Sequence, residues 1–157
     1  MQKNTEKISV LIAEGHDIVR YGLKKLIKHQ NDIEVISESS SCKETLILSS
    51  ALNPDVILLE LILSDGESLG LILKLKEHCP DSNILIYTSS TDKQLHLQAL
   101  SYGAIGILHK SQTMELLIKA IRNVHLNNEL WVDKTLMTEI WKQNILETKV
   151  SQSNDIN

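Results

Sequence analysis

The run Val56-Ile57-Leu58-Leu59 is apolar at every position and lies between two turn signals, Asn53-Pro54-Asp55 before it and Ser64-Asp65-Gly66 after it. A strand with one wet face alternates apolar and polar residues; a strand without alternation is buried on both faces, as in a parallel sheet covered by helices. The rest of the chain fits that constraint. Ile8 to Ala13 is another mainly apolar run, and a helical pattern through Ile18, Val19, Leu23, Leu26 and Ile27 follows it. Ile33 to Ser37 then precedes a helix from Ser41 to Ala51, and Val56 to Leu59 precedes one from Ser68 to Glu77. Ile84 to Tyr87 leads to a helix near Asp92 to Tyr102, and Ile105 to Leu108 to a helix from about Met114 to Leu126, with Thr113 as its cap. Five strand–helix units in succession predict an α/β domain with a doubly wound, five-stranded parallel sheet of strand order 2-1-3-4-5.

After Asn127-Asn128 the chain passes through Leu130-Trp131-Val132 into Lys134 to Leu146, where Leu136, Met137, Ile140, Trp141 and Ile145 share one helical face. An extra C-terminal helix is expected there. The chain therefore divides into a domain over 7–128, an extension over 129–146 and a polar linker or tail over 147–157. With 16 Lys+Arg against 20 Asp+Glu, the net charge of -4 lacks the positive excess that DNA phosphates demand, so any DNA contact belongs to a separate domain. The longest apolar runs fall far short of the roughly 20 residues of a membrane helix, and no signal-peptide core follows Met1 to Lys7. Cys42 and Cys79, at no metal-ligand spacing, fit free thiols in a reduced, cytoplasmic protein. No glycine-rich phosphate loop follows the first strand, which argues against a nucleotide-dependent enzyme.

In an open doubly wound sheet, ligands meet the carboxyl ends of the strands where the winding reverses, here between the first and third strands. Glu14 and Glu60 end those two strands, Thr88 ends the fourth and Lys110 the fifth. Two carboxylates, a hydroxyl and an ammonium are thus expected to converge on one shallow site.

The stretches ISVLIAEGHDIVRYGL (from Ile8), PDVILLELILSDG (from Pro54), IYTSS (from Ile86), YGAIGILHK (from Tyr102) and Leu117 to Asn127 resemble a response-regulator receiver domain. The likeness covers roughly residues 7 to 132, and is greatest to the subfamily that precedes a LuxR-type helix-turn-helix. It implies a flavodoxin-like fold and a place in two-component signalling. In such domains an acidic pair after the first strand binds Mg²⁺, an aspartate after the third accepts a phosphoryl group, and a Thr or Ser hydroxyl and a Lys contact that group. By position these are Glu14 and Gly15, Glu60, Thr88 and Lys110, with the Ile62 carbonyl as a further metal contact. The resemblance also implies a homodimer, a sensor kinase or other regulator as partner, and DNA contact only through a separate C-terminal domain.

The departures from that pattern set the functional expectation. Glu14-Gly15 stands for an Asp-Asp pair, so one metal-ligand carboxylate is gone and the other is longer; Mg²⁺ tolerates such displacement poorly. Glu60 replaces the acceptor aspartate, and its extra methylene moves the carboxylate by about 1 Å, where in-line transfer loses about 100-fold. Aspartyl phosphorylation is therefore expected to be lost and no cofactor held. Three readings of the remaining residues follow: Glu60 as a permanent charge in the phosphoryl position; mutual neutralisation of Lys110 and the acids in a relic pocket; or residual metal binding by Glu14, Glu60 and Ile62. The competing functional classes are a stand-alone interaction adaptor and a receiver still phosphorylated with Mg²⁺.

Ile107 stands where the family carries an output Tyr or Phe, so an aromatic switch coupled to Thr88 is not expected. No histidine pair shows metal spacing; His16 is expected to cap the first helix, Asp17 to favour its N-terminus and Asp65 to serve a turn. The helix from Ser68 to Glu77 carries more leucines than one face buries, which marks Leu71 and Leu75 as interface candidates, and Trp131 and Trp141 in the extension are two more.

Overall fold

The computed structural model describes residues 6–143. Its elements are β1 (Ile8–Ala13), α1 (Asp17–Lys28), β2 (Ile33–Ser39), α2 (Cys42–Leu52), β3 (Val56–Leu59), a small hairpin of β4 (Ile62–Leu63) and β5 (Gly66–Glu67), α3 (Leu69–His78), β6 (Asn83–Thr88), α4 (Lys93–Tyr102), β7 (Gly106–His109) and α5 (Met114–Leu126). The main sheet is parallel, with order β2-β1-β3-β6-β7, which is 2-1-3-4-5 once the hairpin is set aside. The expected fold is the observed one. The turn expected at Ser64-Asp65-Gly66 is the bend of the β4–β5 hairpin, where Gly66 takes a φ of +126°.

Both faces of β3 are buried, as its unbroken apolar run demands. Val56 and Leu58 join Val10, Ile12 and Leu85 against α1 and α5; Ile57 and Leu59 join Leu11, Ile84 and Ile86 against α2, α3 and α4. Helix ends are set by local side chains. Ser41 accepts from the Glu44 N–H at 3.1 Å, Asp92 from Gln94 at 3.0 Å and Thr113 from Leu116 at 3.2 Å, while Asn53 closes α2 in the left-handed region before Pro54.

The extension is bonded to the sheet. Trp131 N–H donates to the Ile105 carbonyl at 3.0 Å and the Trp131 carbonyl accepts from Ile107 N–H at 2.9 Å, a one-residue parallel bridge on the outer side of β7. The side chains divide across the sheet edge: Trp131 packs on the α1–α5 core, whereas Val132, Leu136 and Ile140 pack on the opposite one. Asp133 caps the helix that begins at 134, accepting from Leu136 N–H at 2.7 Å, and the helix is described as far as 143. The end of that expected helix, 144–146, and the polar tail over 147–157 lie outside the described residues.

Three interface candidates are corrected here. Leu71 and Leu75 are 6% and 0% exposed, because α3 is flanked by α2 on one side and α4 on the other and needs a wide apolar stripe; its exposed leucine is Leu73. Trp131 is half-buried against β7 and the α1–α5 core and is not a free surface. Trp141 remains 67% exposed. No helix among the described residues is long and apolar enough to cross a membrane.

Candidate functional site

Glu14, Glu60, Thr88 and Lys110 meet at the carboxyl ends of β1, β3, β6 and β7. Parallel register places these strand ends side by side, with Ala13 opposite Leu59 and Thr88 opposite His109. The Lys110 ammonium bonds both acids, reaching Glu14 Oε1 and, at 2.6 Å, Glu60 Oε2. Glu60 Oε1 accepts from the Thr88 hydroxyl at 2.6 Å and from the Leu61 N–H at 2.8 Å. Glu14 Oε2 accepts from the His16 N–H at 2.9 Å and faces His16 Nδ1 at 3.3 Å. All four carboxylate oxygens are therefore engaged. His16 occupies the N-cap position of α1, yet its ring bonds Glu14 and leaves the helix uncapped, which corrects the capping role expected of it.

Glu14 and Glu60 are only 2% and 6% exposed, so their charges are stabilised by partners more than by water. Burial raises the Glu14 carboxyl, but the Lys110 hydrogen bond and the His16 N–H outweigh it and hold the group below its ordinary range. Burial lowers the Lys110 ammonium, and here the bonds to Glu14 and Glu60 outweigh it, so the group is raised. The space bounded by Glu14, Glu60, Leu58 and Tyr87 has no room for a water molecule.

These residues do not fit Mg²⁺. That ion needs near-octahedral oxygen ligation at about 2.0–2.1 Å and keeps several waters. Here two carboxylates are the only anionic donors, every oxygen is already bonded, and an ammonium stands between them. No group of three or more His, Cys, Asp or Glu side chains among the described residues is arranged to hold a metal ion. Ile62 is the first residue of β4, paired with Glu67 and 55% exposed. Gly15 packs on the hairpin, where a Cβ would lie 3.4 Å from the Ser64 nitrogen.

Thr88 links the acids to the segment beyond β6, since its hydroxyl accepts from Ser90 N–H at 3.1 Å while donating to Glu60. His109 grips the same segment, with Nε2 2.9 Å from the Ser89 carbonyl oxygen. Ile107 is buried and holds Trp131 by its backbone N–H, so no aromatic ring moves at that position.

Two roles escaped the sequence reading. Asp65, expected only to serve a turn, reaches from the hairpin to cap α2, accepting from the N–H groups of Cys42 at 2.7 Å and Lys43 at 3.2 Å. The cap and the helix are 22–23 residues apart in sequence, so no local spacing signals it. With Asp65→Ala, the Cys42 and Lys43 amides are expected to exchange severalfold faster while β3 and β6 stay protected, which hydrogen exchange by NMR would check. The second is the Trp131 bridge, whose sequence signal is Gly106 within a strand. Burial first, and then Asp65, push the Cys42 thiol up to about 11, and burial raises Cys79, so both environments favour the thiol over the nucleophilic thiolate.

Fold and site together define a doubly wound α/β protein whose switch point holds a charged acid–lysine–hydroxyl cluster where a nucleotide cradle would otherwise be. The family model for the response regulator receiver domain matches residues 10–122. The chain belongs to that family. It is 33% identical over 153 residues to the oxygen regulatory protein NreC of Staphylococcus epidermidis, covering 94% of this chain and 69% of that protein. With NreC of Staphylococcus aureus (strain JH9) it shares 34% over 135 residues, which is 85% of this chain and 61% of that one. The chain thus spans about two thirds of the length of these relatives. Among solved structures, a LuxR-family two-component response regulator from Aurantimonas sp. aligns with TM-score 0.79 and 23% identity over 89% of this chain and 99% of that one. The RcsB dimers solved bound to DNA align with TM-score 0.76 and 20% identity over 85% and 66%. Receivers of transcription regulators are generally non-enzymatic.

Proposed function

We propose that this chain is a degenerate receiver of the LuxR/NarL type, the regulatory and dimerisation part of a cytoplasmic transcription regulator in two-component signalling, and that it works without aspartyl phosphorylation, without Mg²⁺ and without catalysing a reaction. DNA contact belongs to a separate domain, as the net charge of -4 suggests, and RcsB offers the parallel of a DNA-bound dimer. The observation that carries this reading is the Glu60 carboxylate, which takes the Thr88 hydroxyl, the Lys110 ammonium and a backbone N–H at once. Those are donors for an anion with spread charge, and a carboxylate on a longer arm supplies that anion permanently. The Thr88 hydroxyl passes the state of Glu60 to Ser90 and so to the start of α4.

Amide NMR with Mg²⁺ and then beryllofluoride, a phosphoryl mimic, tests this. Resonances of Glu14, Glu60, Thr88 and Lys110 are expected to stay in place, whereas Glu60→Gln, which removes the charge at nearly constant volume, is expected to move Thr88 to Asp92. Saturable beryllofluoride shifts in the unaltered protein would instead favour a receiver that still accepts phosphate.

A further inference from the structure

The two edges of the main sheet are not alike. The outer side of β7 is bridged by Trp131, whereas no described segment pairs with the outer side of β2. Beside β2, helix α1 walls an open groove of about 460 Å³. Lys7, Lys25 and Lys28 line it, with Tyr21 and Val35 as its apolar surface. Lys24 also borders the groove but is held by Glu38 at 2.7 Å; Glu34 is the one acidic residue in the lining. Among the described residues, Lys7, Lys25 and Lys28 form no ion pair. The Lys25 ammonium stands 5.5 Å from the centre of the exposed Tyr21 ring.

Lysines often guard an edge strand against pairing with another chain, and basic residues in the last turn suit a helix dipole. Neither explains this arrangement fully. A guard places its charge on the strand, yet the charges carried by β2 are acidic, the exposed Glu34 and the half-buried Glu38. The dipole accounts for Lys25 and Lys28, but not for Lys7 or for the aromatic wall. The groove combines an unpaired backbone edge, a positive rim on a chain of net negative charge, and a short apolar floor.

We infer that the α1–β2 groove receives an extended acidic segment of a partner protein, which adds to the free side of β2 as a sixth strand. Its carboxylates face Lys7, Lys25 and Lys28, and an apolar side chain rests on Tyr21 and Val35. A nucleotide fits less well, since the groove offers no glycine-rich turn or helix N-terminus to hold phosphates. This surface lies apart from Glu60, so its test is independent of the phosphorylation reading.

The test uses the full ¹⁵N-labelled chain and a synthetic peptide of acidic residues around a central Leu-Val pair. Amides of Ile33 to Ser37 are expected to shift saturably, with affinity that falls as salt rises. The double variant Lys25→Glu, Lys28→Glu is expected to bind on the order of tenfold more weakly or worse, with other resonances unchanged. Should that variant fail to fold, Lys25→Gln with Lys28→Gln gives the same reading through a smaller loss. Absence of saturable shifts, binding that survives charge reversal, or equal shifts from inorganic phosphate or a DNA duplex would each overturn the inference.

Discussion

Lys110→Met is expected to destabilise the fold by about 3–5 kcal/mol, because it leaves two nearly inaccessible carboxylates facing one another without their shared cation. Methionine restores the volume but none of the bonds. The pH profile separates this cause from lost packing. In the unaltered protein Glu14 is depressed, so its contribution is present above the ordinary 4.5 and fades as pH falls through the lower folded value. Lys110 is raised, so its contribution is complete below the ordinary 10.5 and fades as pH rises through the higher folded value. Stability should therefore be level with respect to Glu14 and Lys110 between those two ordinary values. In Lys110→Met the slope should reverse on the acid side, with stability gained as pH falls, since protonating an unpaired buried acid removes its charge. Urea unfolding at several pH values would measure both effects, and adding Glu14→Gln to the variant is expected to restore part of the loss. A small loss with an unchanged pH profile would mean that the cluster contributes little.

Gly106→Val should be the second severe change, costing about 2–3 kcal/mol. A Cβ at Gly106 would lie 2.9 Å from the Trp131 carbonyl oxygen, from Trp131 Cβ and from Leu85 Cδ1. Backbone cannot yield as a flexible side-chain tip can, so the bridge must part or β7 must shift. Trp131 fluorescence, isolated in a Trp141→Phe background, is expected to move to longer wavelength as the ring meets water. Trp131→Ala should then cost markedly less in the Gly106→Val protein than in the unaltered one, because the contact it removes is already gone. Additive losses would show that Gly106 matters for another reason.

The fold was legible because both faces of the inner strands are apolar while the helices carry one-sided patterns, and the strand ends followed from the same reading. Convergence of Glu14, Glu60, Thr88 and Lys110 was legible for that reason alone. The direction taken by Glu60 was not, since it depends on a hydroxyl 28 residues away and on a backbone N–H whose aim only the folded turn fixes. The surplus of leucines in α3 misled because periodicity records how much surface is apolar but not how many neighbours will cover it. Leu71 and Leu75 face helices that the local pattern cannot foresee. Asp65 is hidden likewise, because a cap that reaches across from another loop leaves no spacing to read.

The bridge at Trp131 gives the helix from 134 to 143 a clamped base. One side chain before the turn is wedged on one layer of the domain, and the side chains after it are wedged on the other. A rod held in that way cannot swivel independently of β7. Ten helical residues make an arm of about 15 Å, so a tilt of about 10° at the strand sweeps the far end through about 3 Å. Because β7 pairs directly with β6, whose last residue is Thr88, the base of that arm stands one strand away from the charged cluster.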